Sequence, residues 1–137
     1  MPAWTVASLL AATASYLGEH GSTSPRLDAE LLLARVLGLQ RIDLYVQHER
    51  PLNQDELDRL RDVVRRRARH EPVSYILGEA HFRYMRLAVD SSVLIPRPET
   101  EELVDAVLEW LARYPPALRE VAEGTPLRAC DVGTGSG

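Results

Sequence analysis

Val6, Leu9, Leu10, Ala14 and Leu17 recur at helical spacing and predict an amphipathic helix over residues 5–19. Thr13 falls on the same stripe and interrupts it slightly; Gly18 and Gly21 mark its end. Ser24 followed by Pro25 predicts a second start, a capping hydroxyl before a proline whose missing N–H costs nothing in the first turn. Leu27, Leu31, Ala34 and Leu37 predict its buried stripe, widened by Leu32, Leu33 and Val36, with Gly38 in the left-handed position after it. Ile42 to Val46 predicts a short third helix. Asn53 and Glu56 have the spacing of a capping box, and Leu57, Leu60, Val63 and Val64 supply the apolar face that follows.

Charge along that fourth helix follows its dipole. Asp55, Glu56 and Asp58 crowd its first turns, and Arg65, Arg66, Arg67 and Arg69 its last. A solvated helix end accounts for the arginine run without a phosphate or RNA ligand. These helices form a small antiparallel bundle, a size that is marginal in isolation.

At Pro72 the helical pattern stops. Tyr75 to Gly78 reads as one turn closed by a glycine. Ala80–Tyr84 and Leu87–Val89 alternate loosely and predict a hairpin, with Phe82 and Tyr84 as packing residues. Leu94-Ile95-Pro96-Arg97-Pro98-Glu99-Thr100-Glu101 comes next. Its prolines stiffen the backbone and remove donors, so it serves as a rigid linker or as the wall of a site. Leu103, Val104, Val107, Leu108 and Leu111 then predict a helix over residues 100–113. On pattern alone, Glu99, Glu101 and Glu102 simply stabilise its start. Pro115-Pro116 breaks it, residues 117–123 allow one more turn before Gly124, and Leu127–Val132 reads as a buried strand with Cys130 as a small core residue.

Composition narrows the classes. The chain has 137 residues, 45% apolar and 26% charged, a globular balance at one-domain length. No apolar run is long enough to span a membrane, and the N-terminus lacks the pattern of a signal peptide. The single cysteine excludes an internal disulfide, and together these features predict a cytoplasmic protein. All 16 basic residues are arginine, yet the net charge is −4, which argues against broad nucleic-acid binding. His20, His48, His70 and His81 are scattered without metal-ligand spacing.

The chemistry-bearing motif lies at residues 131–137, Asp-Val-Gly-Thr-Gly-Ser-Gly. Glycines permit positive φ and let a backbone approach a ligand closely. The dinucleotide fingerprint G-x-G-x-x-G does not fit, because the third glycine comes one residue early. That mismatch disfavours a nicotinamide-dependent dehydrogenase. With Asp131 two residues ahead of Gly133, the loop instead resembles motif I of S-adenosylmethionine-dependent methyltransferases.

Four segments together resemble the HemK/PrmC family, the protein-(glutamine-N5) methyltransferases acting on peptide chain release factors. They are Ser24 to Leu33, Arg66-Arg67 through Glu71 to Gly78, Leu94 to Glu101, and Asp131 to Gly137. The resemblance implies a mainly α chain: a helical substrate-recognition bundle at residues 1–75, a β-hairpin linker at 76–95, and at 96–137 the first helix and strand of a Rossmann-like α/β methyltransferase domain. It implies S-adenosyl-L-methionine as cofactor, held by Gly133, Thr134, Gly135, Ser136 and Gly137. It also places Arg97, Pro98, Glu99 and Thr100 at the cofactor and substrate pocket. The implied partner is a peptide chain release factor, methylated on the glutamine of its Gly-Gly-Gln motif, with no direct nucleic-acid or membrane partner and no implied oligomeric state.

An amide nitrogen is a poor nucleophile, and the family orients it with an Asn-Pro-Pro-Tyr motif. This sequence contains no such motif, and it also lacks the acidic residue expected after the next strand. Catalysis by these 137 residues alone is therefore not expected. A strand without sheet neighbours and a helix without a sheet predict looser packing after about residue 90. Two other readings stay open on the sequence: a sister group that methylates a ribosomal-protein glutamine, and a non-catalytic module that binds a release factor.

Overall fold

The computed structural model describes residues 4–113 and 130–136. Its elements are α1 (Val6–Glu19), α2 (Pro25–Leu37), α3 (Arg41–Val46), α4 (Gln54–Ala68), α5 (Val73–Leu77), β1 (Glu79–Phe82), β2 (Met85–Ala88) and α6 (Pro98–Arg113). The chain is mostly helical, with one two-stranded antiparallel sheet among the described residues. It divides into two compact units, Met1–Gly78 and Glu79–Gly137.

In the helical unit α2 is the central element, packed by α1, α3, α4 and α5. Val6, Leu9 and Leu10 of α1 meet Ala29, Leu33, Ala34 and Val36 of α2 in the main core, with Leu44, Leu52 and Leu60 completing it. A smaller cluster of Leu17, Leu32 and Ile76 packs against Val63, Val64, Ala68 and Leu77. The buried face of α2 is not the stripe that its spacing suggests. Leu27 is exposed and Leu31 and Leu37 are half-buried, while Ala29, Leu32, Leu33 and Val36 lie inside. A helix gripped from several sides buries more than one stripe, and a leucine-rich run fits several registers equally well.

The helix starts are accounted for donor by donor. In α1 the Val6 N–H donates to the Arg50 carbonyl at 3.0 Å and the Ala7 N–H to the His48 carbonyl at 2.9 Å. The Ser8 N–H donates to Thr5 Oγ1 at 3.3 Å, and the Thr5 N–H to Ser8 Oγ at 2.9 Å. All four N–H groups that a helix leaves without internal partners are thus satisfied. In α4 the capping box forms as its spacing predicts: the Glu56 N–H donates to Asn53 Oδ1 at 2.9 Å, and the Asn53 N–H to Glu56 Oε2 at 3.0 Å.

Ser24 departs from expectation, because its side chain makes no capping bond. Its N–H donates to Ser22 Oγ at 3.2 Å, and the Ser22 hydroxyl donates to Asp28 Oδ2 at 2.7 Å. The acid one turn inside α2 thus organises the start that the hydroxyl was expected to cap. Gly38 (φ 66°) and Gly78 (φ 76°) close α2 and α5 in the left-handed conformation.

Two carboxylates on α2 are buried, and each is paired. Asp28 accepts from Arg67 Nε of α4 at 2.7 Å. Glu30 accepts from Arg26 Nε at 3.0 Å, from Arg41 Nε at 3.0 Å and from the Tyr45 hydroxyl. The arginine run is therefore only partly a solvated helix end. Arg66 forks onto Glu71 at 2.8 and 2.6 Å, and Arg67 reaches Asp28, while Arg65 and Arg69 stay exposed.

In the second unit β1 and β2 pair with Glu79 opposite Ala88 and Phe82 opposite Met85, leaving Arg83-Tyr84 as a two-residue turn. Tyr84 is 96% exposed, so it does not pack as its aromatic character suggests. None of the α6 residues is buried; Leu103, Val107, Leu108 and Trp110 face solvent, in line with the looser packing expected after residue 90. Cys130, Asp131 and Val132 carry no strand, and Cys130 is exposed rather than a core residue. A strand in this class of sheet is buried by neighbours on both sides, and the described sheet has only β1 and β2. The rest of that expected strand, Leu127–Ala129, and the extra turn at 117–123 lie outside the described residues.

Glu30 generates a pH-dependent prediction. Burial pushes its carboxyl up, but the hydrogen bonds from Tyr45, Arg41 and Arg26 together outweigh burial and hold it below the ordinary carboxylate range. A folded-state value below the unfolded one contributes stability that is fully present above the unfolded value and is lost as pH falls through the folded one. Glu30→Gln is expected to lower stability at neutral pH by about 2 kcal/mol. Urea unfolding at pH 7 and at acidic pH checks this, and the gap between variant and wild type should narrow in acid.

Candidate functional site

The segments with chemistry in their sequence both belong to the second unit. Leu94–Arg97 runs without helix or strand, and Pro98 occupies the first position of α6, where its missing N–H is no loss. The Thr100 N–H donates to the Arg97 carbonyl at 3.0 Å, which closes the first turn. Glu99 and Glu101 sit in that turn, at the positive end of the helix dipole. Arg97 is exposed, and among the described residues its guanidinium has no ion pair. A cation fixed between two prolines, followed by acids on a helix start, is a polar wall available to a ligand.

Two further contacts shape the same unit. Asp90 accepts from the Ser92 N–H at 2.8 Å and from the Ser92 hydroxyl, forming a tight turn. The Ser92 hydroxyl and then its N–H hold the Asp90 carboxyl below the usual aspartate range. At the hairpin tip, Arg83 adopts φ 53° and its guanidinium pairs with Asp105 of α6. A left-handed arginine is uncommon, and such positions persist where the surroundings hold them. Nothing in the sequence marked Arg83 or Asp105, since the turn carries no glycine or asparagine. The only signal was a charge on the polar face of α6, twenty-two positions away.

The glycine loop has the conformation its composition predicts. Gly133 has φ 83° and Gly135 φ 64°, values that glycine adopts without strain. A Cβ at either position would meet nothing within 4 Å, so the backbone there is open to close approach. Thr134 is exposed and Ser136 is half-buried; Gly137 lies outside the described residues. Among the described residues no hydrogen bond or ion pair joins Arg97–Thr100 to Gly133–Ser136. The open loop fits a ligand held through backbone groups, and the polar wall at Arg97 fits a charged one.

Comparison with known proteins adds a family. Residues 8–78 match the PrmC N-terminal domain, and the chain belongs to that family. Over 134 residues it is 46% identical to a release factor glutamine methyltransferase of Chlorobaculum tepidum, a match covering 98% of this chain and 44% of that protein. It is similar to the release factor glutamine methyltransferase of Geobacter sulfurreducens, 42% identical with 98% and 43% coverage. The one from Coxiella burnetii is 46% identical over 116 residues, with 85% and 38% coverage. The chain thus spans less than half the length of these curated relatives. The matched family domain coincides with the helical unit, and the longer alignments extend past it.

The acids of the α6 start provide a test of their structural role. If Glu99 acts only on the helix dipole, Glu99→Gln costs a few tenths of a kcal/mol, about 0.5 at most on an exposed surface. Far-UV circular dichroism with thermal melting of the variant is expected to show a loss of this size and no more.

Proposed function

We propose that this chain acts as the N-terminal portion of an S-adenosylmethionine-dependent methyltransferase that modifies the glutamine of the Gly-Gly-Gln motif in peptide chain release factors. The observation that carries this reading is the 46% identity over 98% of the chain to a protein named for that activity. In this reading the helical unit engages the release factor in the cytoplasm, and the second unit begins a Rossmann-like catalytic domain. Gly133, Thr134, Gly135, Ser136 and Gly137 hold the cofactor, and Arg97, Pro98, Glu99 and Thr100 form one wall of the pocket.

The local geometry supports these roles. Gly133 and Gly135 put positive-φ backbone beside open space, so their peptide groups approach a ligand without side-chain obstruction. Pro96 and Pro98 restrict the backbone on either side of Arg97, which limits the entropy lost when its guanidinium meets a carboxylate. Bound S-adenosylmethionine supplies an electrophilic sulfonium methyl group. The contribution of this chain is orientation: holding reacting partners in line is worth far more than any acid or base it offers here. The Asn-Pro-Pro-Tyr motif by which the family orients the acceptor amide does not occur in these 137 residues, so the orientation supplied here is that of the cofactor.

The experiment uses the protein encoded by the whole reading frame that contains this chain. It is incubated with purified release factor and S-adenosylmethionine, and the peptide carrying the Gly-Gly-Gln motif is weighed by mass spectrometry. One added methyl on the glutamine is the expected result. Methylation of ribosomal protein with none on the release factor would replace the substrate assignment. Gly135→Ala in the same protein is expected to weaken cofactor binding about tenfold, since a Cβ in the left-handed region costs roughly 1–2 kcal/mol. Calorimetry should show that loss while release-factor affinity stays unchanged.

A further inference from the structure

The helical unit carries a groove of about 290 Å³ between the N-terminal arm with α1 and the exposed side of α4. Trp4 and Tyr16 line it on one side, and Leu57, Arg61, Val64 and Arg65 on the other. Its volume is at the small end for a ligand site, suited to side chains of a docked segment rather than to a large cofactor.

Two sets of contacts fix its aromatic side. The Leu52 N–H donates to the Trp4 carbonyl at 2.9 Å, and Thr5 bridges Pro51, so the backbone beneath the indole is pinned. The Tyr16 ring rests against His20 with centroids 4.1 Å apart, and the His20 ring nitrogen Nδ1 lies 2.8 Å from the Tyr16 carbonyl. Trp4 is nevertheless 49% exposed and Tyr16 40%. Large aromatic surface left exposed in this way is characteristic of a recognition surface.

Charge selects the occupant. The only charged residue of α1 is Glu19, one turn beyond Tyr16 and outside the groove lining. The α4 wall carries two arginines. Arg61 pairs with Asp58 at 2.7 Å, but both partners are more than half exposed, and such pairs exchange readily. Arg65 has no ion pair or hydrogen bond from its side chain among the described residues. An apolar floor beside an uncompensated guanidinium complements an apolar side chain with a neighbouring carboxylate. A nucleic acid fits less well, because the lining is mostly apolar and the chain has a net charge of −4.

We propose that this groove docks an acidic, apolar segment of the protein substrate, seating its apolar side chain against Trp4, Tyr16 and Val64 and its carboxylate on Arg65. The proposal rests on the release-factor reading and specifies where and by what chemistry the factor is gripped. It separates affinity from chemistry: the groove holds the substrate protein, and the second unit carries the loop and wall assigned to the pocket.

The test is calorimetric titration of the 137-residue chain with purified release factor, with circular dichroism of every variant as a folding control. Trp4→Ala and Arg65→Glu are each expected to weaken binding by about tenfold or more. Arg65→Lys, which keeps the charge, is expected to stay within about threefold of wild type. Arg69→Glu, an exposed arginine outside the groove, is expected to stay within about twofold. Folded Trp4→Ala and Arg65→Glu variants that bind as tightly as wild type would overturn the groove while leaving the release-factor reading intact. A wild-type chain that does not bind release factor would also overturn it, and the methylation assay then decides the function separately. Self-association of the chain, or binding of a single-stranded RNA, that both variants abolish would assign the groove to a different occupant and overturn the proposal.

Discussion

Two buried carboxylates on one helix organise the helical unit. Asp28 and Glu30 are two residues apart on α2, so they project to nearly opposite sides of it. A buried charge is tolerated only when paired. Asp28 finds Arg67 on α4, and Glu30 finds Arg41 and Tyr45 on α3. The apolar core would permit α2 to rotate or slide, because its leucine run fits more than one register. The ion pairs do not permit that: a rotation that frees either acid leaves a charge buried without a partner. The core supplies most of the driving force, and the carboxylates select one arrangement of it.

The same economy appears at the start of α4. Glu56 closes the capping box with Asn53 and also accepts from Arg50 at 2.6 Å. The carbonyls of Arg50 and His48 in turn satisfy the first two N–H groups of α1. The loop between α3 and α4 is therefore a shared junction rather than a free connection. It orders the beginning of α1 and, through Leu52 and Pro51, the arm that carries Trp4. A short bundle that is marginal by apolar burial alone is held by contacts that each serve two elements.

Much of this was legible in the sequence because it is local. The boundaries of α1, α3 and α4, the capping box of Asn53 and Glu56, the left-handed Gly38, the turn closed by Gly78, and the hairpin all follow from spacing and from the chemistry of single residues. What was not legible is non-local. The face of α2 depends on four neighbours; the partners of Arg66 and Arg67 depend on where Glu71 and Asp28 come to lie; the Ser24 cap is replaced by the Ser22–Asp28 bond. At the candidate site the left-handed Gly133 and Gly135 were readable from composition alone. The exposure of Cys130 was not, because burial of a strand is decided by its neighbours and not by its own sequence.

The two units also differ in what holds them. Two of the four segments that carry the family likeness, Ser24 to Leu33 and Arg66 to Gly78, contain Asp28, Glu30, Arg66, Arg67 and Glu71, and every one of these side chains is engaged in folding the helical unit. A family likeness carried by such residues is evidence of a shared scaffold before it is evidence of shared chemistry. The chemistry-bearing residues, Arg97 to Thr100 and Gly133 to Ser136, have the opposite character: they are mostly exposed, and the helix beside them buries none of its residues. Catalysis by orientation requires groups held to a fraction of an ångström by the packing around them. Among the described residues the buried core clusters lie in the helical unit. The helical unit therefore rests on interlocking contacts, whereas the residues assigned to the pocket in the proposed function adjoin or begin a helix that buries none of its own side chains.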